Sequence, residues 1–225
     1  MGERRNKMII LFDLDGTLID STEAILECFY HAFEVHNFAQ PSDDAIKALV
    51  GYPLDIMFED LGVPRAIVWD FVATYKEEYR KISTQKTFLL DNAKDAVLKA
   101  SKFATLGIVT TKTAEYSKIL MEHFGLMEYF EVLIGREDVQ NPKPHAEPIL
   151  KAMEALDVKG KEIWMIGDTK LDLIAAKSAG VNSIGVLSGY DSREIIEKFT
   201  DVIFSDALEA VLHLQDRKKQ HTQSY

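Results

Sequence analysis

The sequence predicts an α/β fold: a doubly wound, Rossmann-like parallel sheet with a helical domain inserted near its start. Short, continuously apolar runs alternate with helical patterns from residue 91 onward, and about seventy residues without a strand-like run separate the first apolar run from that alternation. Alternation of this kind implies a parallel sheet covered on both faces. Strands buried on both faces are apolar throughout and do not alternate with polar residues.

In chain order, strands are read at "MIILF" (8–12), "ATLGIVT" (104–110), "FEVLIG" (130–135), "EIWMIG" (162–167), "NSIGV" (182–186) and "DVIF" (201–204). Their apolar runs are continuous and short, as buried strands require. Helical patterns fall at 91–102, 113–123, 145–156, 170–179, 192–198 and 206–217. The long first connection exceeds what one crossover needs. It reads as four helices, "STEAILECFYHAFEVH", "SDDAIKALV", "PLDIMFEDL" and "AIVWDFVATYKEEYRKI", punctuated by Pro41, Gly51 with Pro53, and Gly62 with Pro64. The expected division is a core of residues 1–17 and 87–225 with a helical cap of residues 18–86.

A chain of 225 residues, 47% of them hydrophobic, can bury one ordinary core with something left over. Lys and Arg total 26 against 36 Asp and Glu, a formal charge of −10. Phosphate-backbone binding needs a basic face, so nucleic acid is not an expected partner. Cys28 stands alone, which precludes an internal disulfide and fits a reducing compartment. "MGERRNK" leads into only five apolar residues before Asp13, too few for a signal sequence or a membrane span. Asn6 also breaks the myristoylation pattern. A soluble, cytoplasmic protein without a membrane partner is expected; the oligomeric state is not readable.

In a doubly wound sheet, ligands gather at the carboxyl ends of the strands. The first strand ends in Asp13 and Asp15, the second in Thr110 and the fourth in Gly167 and Asp168, while the loop after the third contains Lys143. Asp15-Gly16 could be a hairpin turn. However, the continuation "TLIDSTEAI" reads as helical, with Asp20 and Glu23 as a capping pair. Thr169 and Asp172 fit a T-x-x-D cap, which explains Asp172 alone but not a second acid, Asp168, at a strand mouth. Lys143 lies between two prolines, with Pro144 placed to open a helix; taken alone, it reads as a solvated lysine. Thr110 alone could close a strand or contribute to a cap.

Convergence changes these readings. Unit charges about 4 Å apart near a protein surface repel by roughly 4 kcal/mol, so clustered carboxylates demand a counter-charge. A hard divalent cation that takes oxygen ligands and keeps positions for water or phosphate answers that demand, and Mg²⁺ suits it. Lys143 as a point charge and Thr110 as a hydroxyl donor would complete a phosphate cradle.

At these residues the sequence resembles the haloacid dehalogenase superfamily, specifically its phosphatases. The first motif, D-x-D-G-T, is Asp13-Leu14-Asp15-Gly16-Thr17; the second falls on Thr110, the third on Lys143, and the fourth, G-D-x-x-x-D, on Gly167, Asp168 and Asp172. The insertion resembles the helical cap of a subgroup that includes phosphoglycolate phosphatases, pyrophosphatases and sugar-phosphate mutases, with "VGYPLDIMF" similar to its substrate-facing loop. Two departures stand out: Thr111 where Asn is common, and "TFLLDNA" in place of a Pro-Gly stretch where the cap returns.

The resemblance implies a Mg²⁺-dependent phosphatase acting on a small phosphorylated metabolite through an aspartyl-phosphate. Asp13 would be the nucleophile and Asp15 the general acid and base, with Thr110 and Lys143 completing the catalytic set. Asp13, Asp15 through its carbonyl, Asp168 and Asp172 would serve the metal, while Thr17, Asp20, Thr111 and Lys112 would face substrate. 2-Phosphoglycolate is the first-choice substrate, ahead of pyrophosphate, nucleoside monophosphates and sugar phosphates. A phosphomutase of the same superfamily shares every core residue. A phospho-acceptor signalling domain is the alternative from another class.

Overall fold

The computed structural model describes residues 8–223, with side chains described as far as residue 220. The basic N-terminal "MGERRNK" lies outside the described residues. The chain begins with β1 (Met8–Phe12), β2 (Ile19–Asp20), α1 (Thr22–Val35), α2 (Asp43–Lys47), α3 (Leu54–Asp60), α4 (Val68–Ile82) and β3 (Phe88–Leu89). It continues with α5 (Ala93–Ala100), β4 (Thr105–Val109), α6 (Ala114–His123), β5 (Phe130–Ile134), α7 (Glu147–Ala155), β6 (Glu162–Gly167) and α8 (Lys170–Ala179). β7 (Asn182–Val186), α9 (Arg193–Ile196), β8 (Ile203–Phe204) and α10 (Ala207–Gln223) complete it.

Six strands form one parallel sheet in the order β5-β4-β1-β6-β7-β8. β1 pairs with β4 on one side and β6 on the other, aligning Phe12 with Ile108 and with Ile166. The order therefore reverses at β1, which brings the loops after β1, β4 and β6 to one crevice. β1 is apolar throughout because both its faces are covered. Ile10 and Phe12 pack with α5 and α10 residues such as Val97 and Leu214, and Ile9 and Leu11 pack with Ile149 of α7 and Ala175 of α8.

Residues of α1–α4 bury a separate aromatic cluster. Phe29 and Phe58 lie 4.5 Å apart between ring centroids, and Phe33 meets Phe71 edge-on at 5.4 Å. The apolar residues of α1 recur at three- and four-residue spacing (Ile25, Cys28, Phe29, Ala32), so one face of the helix packs against α4. Tyr116 of α6 joins this cluster and links it to the sheet region.

Three expectations need correction. "TLIDSTEAI" does not become helical at once, because β2 precedes α1 and pairs antiparallel with β3, Ile19 opposite Leu89. A two-residue strand carries no periodicity, which hides it in the sequence. Asp20 and Glu23 do not form a reciprocal cap. Asp20 accepts from the Thr22 N–H at 2.9 Å, while Glu23 turns to Lys86 at 3.1 Å. Pro144 does not open a helix; the Lys143–Pro144 peptide is cis, and α7 begins at Glu147 with Pro148 in its first turn. Pro148 there forfeits only an N–H that the helix would leave unpaired.

Candidate active site

β1 delivers Asp13, whose N–H continues the strand pairing to the Ile166 carbonyl at 3.0 Å. The chain then turns tightly, with the N–H groups of Thr17, Leu18 and Ile19 all directed at the Leu14 carbonyl at 2.8–3.0 Å. Gly16 holds φ +83°, and a Cβ there would overlap the Asp168 carboxylate. The glycine of D-x-D-G-T is thus required both by backbone sign and by space.

Asp13, Asp168 and Asp172 form a buried trio whose ligand oxygens lie within 4.8 Å of one another. Lys143, 2% exposed, faces them with Nζ 2.9 Å from Asp13 Oδ1 and 2.6 Å from Asp172 Oδ1, and donates to the Val109 carbonyl at 3.1 Å. The solvated-lysine reading therefore gives way to a buried cation. Asp172 serves two ends at once: its Oδ2 accepts from the Thr169 N–H and hydroxyl at 3.1 and 2.8 Å, as a cap would, while Oδ1 takes Lys143. Asp168 is held by the Thr17 hydroxyl and the Tyr190 N–H, both at 2.9 Å. The sequence offered no signal for Tyr190, because its contribution is a main-chain N–H brought in from the loop after β7.

One ammonium cannot neutralise three carboxylates. Burial, reinforced by Asp172 and Asp15 and opposed by Lys143, pushes Asp13 from an ordinary 3.8 up to about 7. Burial, with Asp172 and Asp13, drives Asp168 well upward as well. Lys143 loses to burial but gains more from Asp13 and Asp172, so its charge is held more tightly than usual. Asp13 Oδ1 is buried and paired with Lys143 by charge, but has no hydrogen-bond partner besides that contact. Excess negative charge, an under-satisfied oxygen and an all-oxygen donor set fit Mg²⁺.

Asp15 points elsewhere. Its carboxylate accepts from the Ser21 hydroxyl and lies 3.2 Å from Lys112 Nζ, so it is not one of the three converging acids. Lys112 also donates to the Tyr79 hydroxyl at 2.9 Å, and Asp15 and Tyr79 outweigh burial to hold its ammonium above the ordinary value. The Thr111 hydroxyl donates to the Gly51 carbonyl at 2.8 Å. Thr111 and Lys112 therefore join the loop after β4 to the helical segment. Thr110 is buried, and its hydroxyl oxygen accepts the Lys112 N–H at 3.2 Å, leaving its own hydrogen free to be donated. Asp20 is exposed on β2.

Asp15 lines a cavity of about 240 Å³ between the loop after β4 and the helical segment. Val50, Gly51, Tyr52 and Leu54 of the "VGYPLDIMF" stretch line it, as do Thr111 and Lys112; neither Asp20 nor Thr17 does. Tyr75, Lys76, Tyr116 and Arg136 also face it and were not among the residues the sequence singled out, since no motif marks them.

Such a crevice, with an acid trio, a buried lysine and a strand-end threonine at the carboxyl edge of a parallel sheet, is a candidate hydrolase site of the α/β class. Residues 10–186 match the model of the haloacid dehalogenase-like hydrolases, and the chain belongs to that family. A pyrophosphatase, PpaX, from Halalkalibacterium halodurans is 35% identical over 195 residues, covering 84% of this chain and 88% of its own. A phosphoglycolate phosphatase from Colwellia psychrerythraea is 30% identical over 206 residues, covering 87% and 91%. The solved structure of a "predicted phosphatase" from Clostridium acetobutylicum superimposes with a TM-score of 0.85 at 26% identity, covering 93% of this chain and 99% of that one. Membership makes the chain a hydrolase, and its named relatives are phosphatases. Among the described residues, no helix is long and apolar enough to cross a membrane.

Proposed function

We propose that this chain is a Mg²⁺-dependent phosphatase that hydrolyses a small phosphomonoester through an aspartyl-phosphate on Asp13. The observation that carries the reading is the buried trio Asp13, Asp168 and Asp172 set against Lys143. These three carboxylates would hold the ion, with the Asp15 carbonyl as the family resemblance implies. When bound, Mg²⁺ draws charge from the phosphoryl oxygens and neutralises the acid cluster.

The chain's own residues carry the steps. The Asp13 carboxylate attacks phosphorus in line, forming an O–P bond as the bond to the leaving oxygen breaks. Asp15, on the cavity side, gives its proton to that leaving oxygen. It then takes a proton from the water that attacks phosphorus, and this second step frees Asp13 and inorganic phosphate. Lys143 and the Thr110 hydroxyl steady the phosphoryl oxygens. Ser21 and Lys112 position the Asp15 carboxylate, and Thr17 positions Asp168. Residues 18–86 act as a cap that excludes bulk water and selects the leaving group. By resemblance 2-phosphoglycolate comes first among substrates, with pyrophosphate, nucleoside monophosphates and sugar phosphates behind it.

The test is phosphate release with Mg²⁺ across that panel, ranked by kcat/KM. Turnover should vanish in Asp13→Asn while circular dichroism shows an intact fold. Phosphate release retained by that variant would refute the assigned nucleophile.

A further inference from the structure

The cavity beside Asp15 is shaped for more than glycolate. Five of its lining side chains are aromatic, Tyr52, Trp69, Tyr75, Tyr79 and Tyr116, and most of the others on its helical wall are aliphatic. Its 240 Å³ has room for roughly eight waters. A small leaving group would leave most of that space wet. Three cations line it: Lys76, Lys112, already held between Asp15 and Tyr79, and Arg136, which donates to the Val139 carbonyl at 3.2 Å.

Trp69 is a second, separate observation. It lies in the first turn of α4, where Val68, Phe71 and Val72 are buried, yet it stays 63% exposed, the highest value for a large apolar side chain among the described residues, while still lining the cavity. Packing of the helical core does not account for an indole left outside it. A flat aromatic surface at the side of an aromatic-lined cavity is a stacking platform.

We infer that the leaving group of this enzyme's substrate carries an aromatic ring, seated in the cavity and stacked on Trp69. This rests on the phosphatase reading above and narrows its substrate class, placing ring-bearing phosphomonoesters ahead of 2-phosphoglycolate and pyrophosphate.

Adenosine 5′-monophosphate and ribose 5-phosphate test the point, because both lose a primary alkoxide and differ in the base. With Mg²⁺, kcat/KM should favour adenosine 5′-monophosphate by about tenfold, mainly through KM. Trp69→Ala should collapse that ratio towards one, and Trp69→Phe should restore most of it. Without Mg²⁺, adenosine 5′-monophosphate should quench tryptophan emission and ribose 5-phosphate should not; Trp69→Phe should abolish the response, leaving the buried Trp164 as background. Ring-selective quenching without turnover of any ester would uphold the cavity inference and refute the phosphatase reading. Turnover that ignores the ring, with no quenching, would overturn the inference and leave the phosphatase reading intact.

Discussion

At the scale of single residues, Asp13 and Lys143 set the terms of stability. Asp13 ionises at about 7 in the folded protein against an ordinary 3.8, so the folded state binds the extra proton between those values. Stability must then fall as pH rises through that window, by at most about 1.4 kcal/mol per pH unit from this group, and stay level above it. Urea midpoints of metal-free protein from pH 4 to 8 check this, and the decline should be shallower in Asp13→Asn. Lys143→Met strips the cation from Asp13 and Asp172 and should cost about 3 kcal/mol at pH 8. The loss should shrink near pH 5, where Asp13 can take up a proton; an equal loss at both values would argue against the charge account. Asp13, Asp168, Asp172 and Lys143 were legible as a cluster because each sits at a strand end or at fixed spacing from one, whereas Asp15, expected to converge with them, turns to Ser21 and Lys112. Ser21, which bonds Asp15, and Tyr190, whose N–H bonds Asp168, were not, since nothing local ties them to acids 6 and 22 positions away.

At the scale of elements, the turn after β1 depends on Gly16. A Cβ there would meet the Gly189 backbone at 2.9 Å as well as the Asp168 carboxylate, and φ +83° disfavours any side chain. Gly16→Ala should destabilise the protein by about 1–2 kcal/mol from the backbone alone, with a further loss of activity as Asp168 is displaced. Denaturant titration and phosphate release read the two effects separately. The six strands of the main sheet were legible because burial on both faces makes their apolar runs unbroken. β2 and β3 were not, because the pairing of Ile19 with Leu89 joins residues far apart in sequence, each within only two residues of strand. Asp20, expected to face substrate, lies on the exposed edge of β2, where its carboxylate accepts from the Thr22 N–H, and it does not line the cavity.

At the scale of the whole molecule, acids from residues 13, 168 and 172 meet only in the folded chain, so a cation they share stabilises folding by mass action. Mg²⁺ at a hundred times its dissociation constant should add about 2.7 kcal/mol, or roughly 5–10 °C in Tm for a chain of this size. Chelator should reverse the shift, and Asp168→Asn should abolish it in a calorimetric scan. A further consequence follows from how the crevice is divided. The groups proposed to handle phosphorus come from the sheet's loops, while much of the cavity wall proposed to receive the leaving group comes from residues 50 to 79. Reagent and address are thus written on different stretches of one polypeptide. Substrate preference can then wander by change in the second stretch while the first stays fixed, and transplanting that stretch from a relative should transfer the relative's preference with it.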